Sequence, residues 1–402
     1  MALPNVVVLP GFEGSNLDGK LPLLPPIRYW VTFPPLLGAR FGFLELKQDG
    51  LTPAFNFAGT ITPAGIVPFV YDGLIRFLQQ QWNVIPMAYD FRKSIVVTGR
   101  EVWTKIHEMI PGQDYYVVAH SLGGLVARFL WREEVAAGLQ SQFKRLVTLG
   151  TPHWGTYNAV KAFNRQSESY RLLVIGTLGS AMPLLERAVD ALSGRPFAFL
   201  DRVLGSWPAI YEQFPNPQNP FVTGDIPRSI LFTPSLWEPI NVGVTAPRLT
   251  SGRATVALLN DPSTFPPAEK IVCFSGRGIA TPSLFNRGQS ITSRNAFFHT
   301  DGDGTVARVD ASLRGPSVDV WTDHIDLVRN PLVLGNLTRL LLNGLPPPPA
   351  GEEHPGQFTI PGPAGPAGEL STFPPEFFST IDLMGGSPRA SAGDEPRPAY
   401  CP

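Results

Sequence analysis

Six short runs rich in Val, Ile and Leu, set among segments of helical periodicity, restrict this chain more than any other feature. They are "NVVVLP" (5–10), "WNVIPMAYD" (82–90), "DYYVVAH" (114–120), "KRLVTLGTP" (144–152), "KIVCFSG" (270–276) and "SVDVW" (317–321). None alternates strictly between apolar and polar residues. Strands covered on both faces have this character, whereas a strand with one wet face alternates. Residues 66–80, 95–110, 121–137 and 331–343 carry apolar side chains at helical spacing. Strands alternating with helices predict an α/β fold with a doubly wound, mostly parallel sheet.

Two stretches break the rhythm. Residues 157–267 hold loose helical patches and loops rich in Pro and aromatic residues, such as "GSWPAIYEQFPNPQNPF" (205–221). The strand pattern resumes at Lys270 and needs the earlier strands to complete one sheet. The stretch is therefore expected to be a cap inserted over the sheet, in preference to a second independent domain. From Pro346 the composition changes to "PPPPAGEEHPGQFTIPGPAGPAGELSTFPPEF". Such a segment buries no core and predicts a disordered, flexible or polyproline-type tail. The expected organisation is a core in two parts (1–156 and 268–345), a cap (157–267) and a Pro/Gly-rich tail (346–402). An apolar lid-like segment is expected at about 25–50.

Bulk properties exclude several function classes. The net charge of −1 over 402 residues and the lack of a basic run give no case for nucleic acid. Two cysteines, Cys273 and Cys401, make neither a disulfide framework nor a cysteine-based metal site. No stretch reaches the roughly 18–20 apolar residues of a membrane span. "MALPNVVVLPGFEGSN" lacks the basic and long apolar regions of a secretory signal, so a cytoplasmic location is expected.

Ser121 stands in "AHSLGG" (119–124), between a strand and a helix. This is the G-x-S-x-G elbow with Ala in the first Gly place. Small neighbours let the serine take strained backbone angles and lift its hydroxyl clear of the strand end. The bland alternative is a buried turn serine. A serine needs a base, and in elbow-type folds the partners follow in the order Ser, Asp or Glu, His. That order disfavours His107, which precedes the serine, and His120, which sits inside the elbow. It also disfavours His153, before any cap carboxylate, and His354, in the tail. His299 comes ahead of the best acid candidate. His324, in "VWTDHIDLVRNP" after a strand and before the last helix, is the expected base. Asp303, in "HTDGDGTV" (299–306), is the expected acid, with Asp301 as competitor; a turn or a calcium loop is the bland alternative. A developing oxyanion needs N–H donors. The amides of Leu122, after the nucleophile, and Phe12, in "LPGFEGSN", are the candidates, with Glu13 next in line. Trp30, Trp154 and Trp207 are weaker candidates for a substrate-binding wall.

These pieces resemble the lecithin:cholesterol acyltransferase family of α/β-hydrolases, which includes lysosomal phospholipases and phospholipid:diacylglycerol acyltransferases. The resemblance runs from "VVVLPGFEGSNL" to "LLLNG" (340–344). It includes "AYDFRKS" (88–94), similar to a Tyr-Asp-Trp-Arg segment with Phe91 in the Trp place, then "AHSLGG", "LGTPHWGT" (149–156), "FSGRGIATPSLF" (274–285), "DGDGTV" (301–306) and "DHIDL" (323–327). It implies an α/β-hydrolase fold with Ser121, Asp303 and His324 as catalytic residues, Phe12 and Leu122 as oxyanion donors, and no cofactor. The animal members use disulfides, one tethering a lid. No cysteine precedes residue 273 here, so a lid would be held by packing. "YWVTFPPLLGARFGF" (29–43) is the segment expected to line an acyl groove or touch a membrane surface transiently, with core packing as the alternative. The expected activity is acyl hydrolysis or O-acyl transfer on lipid-like esters. An esterase for small, non-lipid esters and an idle hydrolase-fold binding module are the rivals.

Overall fold

The computed structural model describes residues 2–343 except 21–24, 31–40, 56–59, 165, 167–197, 221, 223–227, 239, 242, 287–288, 294–295 and 314–316, together with the backbone of 357–359. The chain divides into two units, Met1–Gly362 and Pro363–Pro402. The second lies wholly outside the described residues, as do most of the expected tail and the middle of the expected lid. The two core parts and the insertion all belong to the first unit.

The first apolar run forms β1 (Asn5–Leu9). A small antiparallel sheet follows, made of β2 (Ser15–Lys20), β3 (Ile27–Trp30) and β4 (Thr60–Ile66). Next come helix α1 (Pro68–Leu78), β5 (Asn83–Pro86), α2 (Ile95–Met109), β6 (Tyr115–His120), α3 (Leu122–Ala137) and β7 (Phe143–Leu149). The insertion contributes α4 (Tyr157–Phe163), α5 (Ala198–Gly205) and α6 (Ala246–Leu258). The chain returns with β8 (Ile271–Arg277), a hairpin of β9 (Ile279–Phe285) and β10 (Phe297–Gly302), then β11 (Ser317–Trp321) and α7 (Pro331–Asn343). Within the stretch expected as tail, β12 (Gln357–Thr359) pairs with the outer edge of β11. A three-residue strand there satisfies edge backbone groups that would otherwise face solvent.

The main sheet has the order β12-β11-β8-β7-β6-β1-β5, every pair parallel. Successive residues point to opposite faces, and both faces are covered. Val7, Leu9, Val117 and Ala119 join a core with Val102 of α2 and Phe129 of α3. Val6, Val8 and Val118 join another with Leu74 of α1 and Leu337 of α7. This explains why the six apolar runs do not alternate. The architecture is a doubly wound α/β-hydrolase fold.

The chain leaves β1 for β5 and then crosses back to β6 on the other side of β1. The helices after β1 and β6 therefore lie on opposite faces, and the loops after these two strands part around a crevice at their carboxyl ends. That reversal places the residues after Leu9 beside those after His120.

The insertion packs into the sheet's own core: Phe199, Trp207, Tyr211 and Trp237 share one cluster with Val7 and Leu9. Two buried polar groups fasten it further. Among the described residues, no carboxylate is hydrogen-bonded to Arg128 of α3. Arg128 donates to the Thr264 carbonyl (3.3 Å) and hydroxyl (3.1 Å), to the His153 carbonyl (3.2 Å) and to the Leu259 carbonyl, with its guanidinium 4.1 Å from the Phe265 ring centre. Burial pulls its pKa down to about 9. Glu212 accepts from the Ile95 amide (2.6 Å) and from the hydroxyls of Ser94 (2.7 Å) and Thr255 (3.0 Å). A carboxylate from the insertion thus caps the N-terminus of α2, where free amides and the helix dipole favour an acceptor. Among the described residues no helix is long and apolar enough to cross a membrane.

Glu212→Ala leaves three donors without their acceptor, so a loss of about 2–4 kcal/mol is expected in urea unfolding followed by tryptophan fluorescence. Glu212→Gln keeps a carbonyl oxygen and is expected to lose markedly less. Equal stability of both variants and the parent protein would contradict the capping role.

Candidate active site

Ser121 sits between β6 and α3 with φ 52° and ψ −126°, a left-handed conformation rare outside glycine. Its amide donates to the Leu149 carbonyl at 2.9 Å. The space around it is as tight as the elbow requires. A Cβ on Gly11 would lie 2.9 Å from the Ser121 Cβ, and one on Gly123 would lie 2.5 Å from the Pro10 carbonyl oxygen. Both glycines are dictated by the approach of the β1 loop to the start of α3, and no larger residue fits without moving backbone.

The structure brings Ser121, His324 and Asp303 together from three strand ends. His324 Nε2 is 2.9 Å from Ser121 Oγ, and His324 Nδ1 is 2.8 Å from Asp303 Oδ2. Asp303 Oδ1 accepts from the amides of Thr305 (2.9 Å) and Val306 (2.7 Å), which leaves Oδ2 for the imidazole. With Nδ1–H directed at a carboxylate, Nε2 is the unprotonated nitrogen and accepts from the serine hydroxyl. Ser121 and His324 are each 7% exposed and Asp303 2%, so water has little access to compete.

The competing residues go elsewhere. Asp301 accepts from the Gly278 amide at 2.6 Å and lies 3.3 Å from Arg277. His299 is exposed on β10. His107 contacts buried Glu134 at 2.8 Å, and His153 is buried 3.2 Å from Thr148 Oγ1. His120 points away from the serine hydroxyl, toward Tyr71. His354 lies outside the described residues.

Several polar atoms of the loop after β1 are held by hydrogen bonds. Tyr89 donates to the Pro10 carbonyl (2.5 Å), the Gly11 amide donates to the Tyr71 hydroxyl (2.7 Å), and the Gly14 amide donates to the Gly11 carbonyl (3.0 Å). Trp30 Nε1 donates to the Glu13 carbonyl (2.9 Å). Glu13 itself sits at φ 62°. Among the described residues no hydrogen bond occupies the amide of Phe12 or that of Leu122, the first residue of α3.

The three tryptophans expected to wall a substrate site are all buried. Trp207 is fully buried, its ring centre 6.0 Å from that of Phe12, and it donates to the Leu44 carbonyl at 2.9 Å. Trp30 is buried beside Phe91, which in turn packs on Phe12 at 5.3 Å. With their surface occupied, both support the Phe12 loop from behind. Trp154 donates to the Ser312 carbonyl (2.8 Å) and lines a cavity of about 360 Å³ with Phe265, Pro266 and Leu313. Neither that cavity nor a larger one of about 880 Å³, walled by Ile230, Leu236, Ile240 and Phe285, includes Ser121, Asp303 or His324 in its lining.

Behind the aromatic cluster lies the buried pair Asp90–Arg92, at 2.7 Å, with the Arg92 guanidinium also donating to the Leu44 carbonyl at 3.0 Å. Burial pushes the Asp90 carboxyl up, but the Arg92 charge and hydrogen bonds outweigh it and hold the pKa below the ordinary value. Tyr89, Asp90 and Arg92 all lie in "AYDFRKS", so their signal was present in the sequence. Tyr71 carries none, being an unremarked aromatic on the buried stripe of α1.

No family model matches the sequence, and no curated protein does. Among solved structures the chain is similar to one in the Tle4–Tli4 complex (13% identity, TM-score 0.47), with 85% of this chain and 100% of that one covered. It is similar to the mature form of Bacillus licheniformis lipase BlEst2 (13%, TM-score 0.36), covering 85% and 92%. It is also similar to the lin2722 product of Listeria innocua (8%, TM-score 0.31), covering 90% and 99%. These likenesses are of fold alone.

Asp90→Asn removes the charge that balances a buried guanidinium, so a stability loss of about 3–5 kcal/mol at pH 7 is expected in urea unfolding. Because the folded-state carboxyl titrates below 3.8, the pair's contribution is full above that value and lost as pH falls through the folded-state pKa. The gap between parent and Asp90→Asn proteins is therefore expected to close on acidification below pH 4. A gap that stays constant to the lowest pH at which both fold would contradict this.

Proposed function

We propose that the protein is a serine acyl hydrolase or O-acyltransferase that takes lipid-like esters through an acyl-enzyme. The observation that carries the reading is the continuous contact from Asp303 through His324 to a serine on a strained strand-to-helix turn. Ser121 Oγ attacks the ester carbonyl carbon while His324 Nε2 takes the hydroxyl proton. Asp303 holds the imidazole and offsets the charge it gains. The amides of Phe12 and Leu122 donate to the oxyanion of the tetrahedral intermediate. As the intermediate collapses, the bond to the leaving oxygen breaks and His324 returns the proton to the departing alcohol. Water or an acceptor alcohol then attacks the acyl carbon and gives its proton to His324; the acyl–Oγ bond breaks, His324 returns that proton to Ser121 Oγ, and the new acid or ester leaves.

The lipid-like substrate is supported by the order and spacing of motifs similar to the lecithin:cholesterol acyltransferase family. A transient contact with a membrane surface is supported by Leu51 and Phe55, 43% and 41% exposed, just after the apolar 29–43 segment. Phe55 is packed edge-on to Phe43 at 6.1 Å.

Ser121→Ala and His324→Ala are each expected to lower kcat by a factor on the order of 10⁴ or more, measured on nitrophenyl esters. Asp303→Asn is expected to fall by about 10³–10⁴, and Asp301→Asn to stay within about threefold. A profile across acyl lengths is expected to favour long chains over acetate, and mass spectrometry of products from mixed phospholipids plus a long-chain alcohol to reveal fatty acid or a new ester. Full activity in Asp303→Asn would move the acid elsewhere, and a strong preference for acetate would remove the lipid assignment.

A further inference from the structure

A buried series of polar groups beside the site has no part in the steps above. Tyr71 of α1 is 1% exposed and His120, the last residue of β6, is 3% exposed. The Gly11 amide donates to the Tyr71 hydroxyl at 2.7 Å, and that hydroxyl lies 2.9 Å from His120 Nδ1. His120 Nε2 in turn lies 3.0 Å from the carbonyl oxygen of His324.

The proton positions follow from the partners. A carbonyl oxygen only accepts, so His120 Nε2 carries a proton. The Tyr71 hydroxyl accepts from Gly11 and gives its own proton to Nδ1. His120 is therefore a neutral imidazole, in keeping with burial and the neighbouring His324, which hold its pKa down to about 3. The His324 amide donates to the Asp303 carbonyl at 3.0 Å. The backbone of His324 is thus gripped at both ends, by Asp303 at its N–H and by His120 at its C=O.

Building on the reading of Ser121 as nucleophile and His324 as base, we propose that Tyr71 and His120 are positioning residues that lock the oxyanion loop and the base to each other. Tyr71 takes the Gly11 amide out of use and fixes the direction of the next one, Phe12. His120 fixes the carbonyl of His324 and thereby the ring above it. An apolar pair would fill the space but leave the Gly11 amide and the His324 carbonyl unpartnered. Neutrality matters as well. The rings of His120 and His324 are 4.8 Å apart, and a second cation there would oppose the imidazolium that forms on His324.

The measurement is kcat per active site in the full chain, with sites counted by fluorophosphonate titration, for Tyr71→Phe, His120→Leu and His120→Gln. Tyr71→Phe and His120→Leu are expected to lose about 10- to 100-fold in kcat per site with KM within about twofold. His120→Gln, whose amide offers a donor to the His324 carbonyl, is expected to recover part of the loss. A purely structural role would lower the number of titratable sites and leave kcat per site alone. Parent-level kcat per site in both Tyr71→Phe and His120→Leu would overturn the proposal. A parent protein whose Ser121 takes no fluorophosphonate would instead overturn the reading of Ser121 as nucleophile.

Discussion

The reversal of strand order at β1 governs this structure. Two loops that are more than a hundred residues apart in sequence leave adjacent parallel strands and part to opposite faces. At the point of divergence Gly11 and Ser121 lie so close that a single Cβ would collide. A non-glycine residue at φ 52° costs on the order of 1–3 kcal/mol. That strain persists because the flanking backbone is over-determined. Leu149 receives the Ser121 amide, and Gly123 rests against the end of β1.

The polar interior is arranged around the same point. Tyr71, Tyr89 and His120 bond to the two loops and to the backbone of His324. Asp90 and Arg92 lie one layer further out, behind Phe12, Phe91 and Trp207. A buried ion pair adds little net stability against an apolar alternative. The Leu44 carbonyl accepts from both Arg92 and Trp207, which ties the pair to the aromatic layer. Arg128 and Glu212 bind the insertion to α3 and α2. The insertion is thereby fastened by hydrogen bonds of defined direction as well as by the shared apolar cluster.

Much of this was legible in the chain. The Val-rich runs mark the sheet because strands covered on both faces leave no room for polar alternation, and all six lie in it. The histidines sort by chain order and flanking elements, and the structure sets Ser121, Asp303 and His324 in contact. Other parts left little trace. "SNLDGK" and "TITPAGI" carry Gly, Pro and polar residues, and their pairing is irregular, so neither announces the small antiparallel sheet. The β9–β10 hairpin is interrupted by a register shift at Phe298. The Pro-rich loop around Trp207 gives no sign that this side chain is completely buried. Tyr71 lies 49 residues from His120, and nothing local links them.

In the proposed reaction one hydroxyl reaches the acyl carbon while two amides take up the oxygen bound to it. A crystal structure of the protein after reaction with a long-chain fluorophosphonate tests it most directly. The expected adduct has a phosphorus–oxygen bond to Ser121 Oγ, with the phosphoryl oxygen within hydrogen-bond distance of the Phe12 and Leu122 amides and His324 still on Asp303. An adduct on another residue, or a phosphoryl oxygen turned away from both amides, would contradict it.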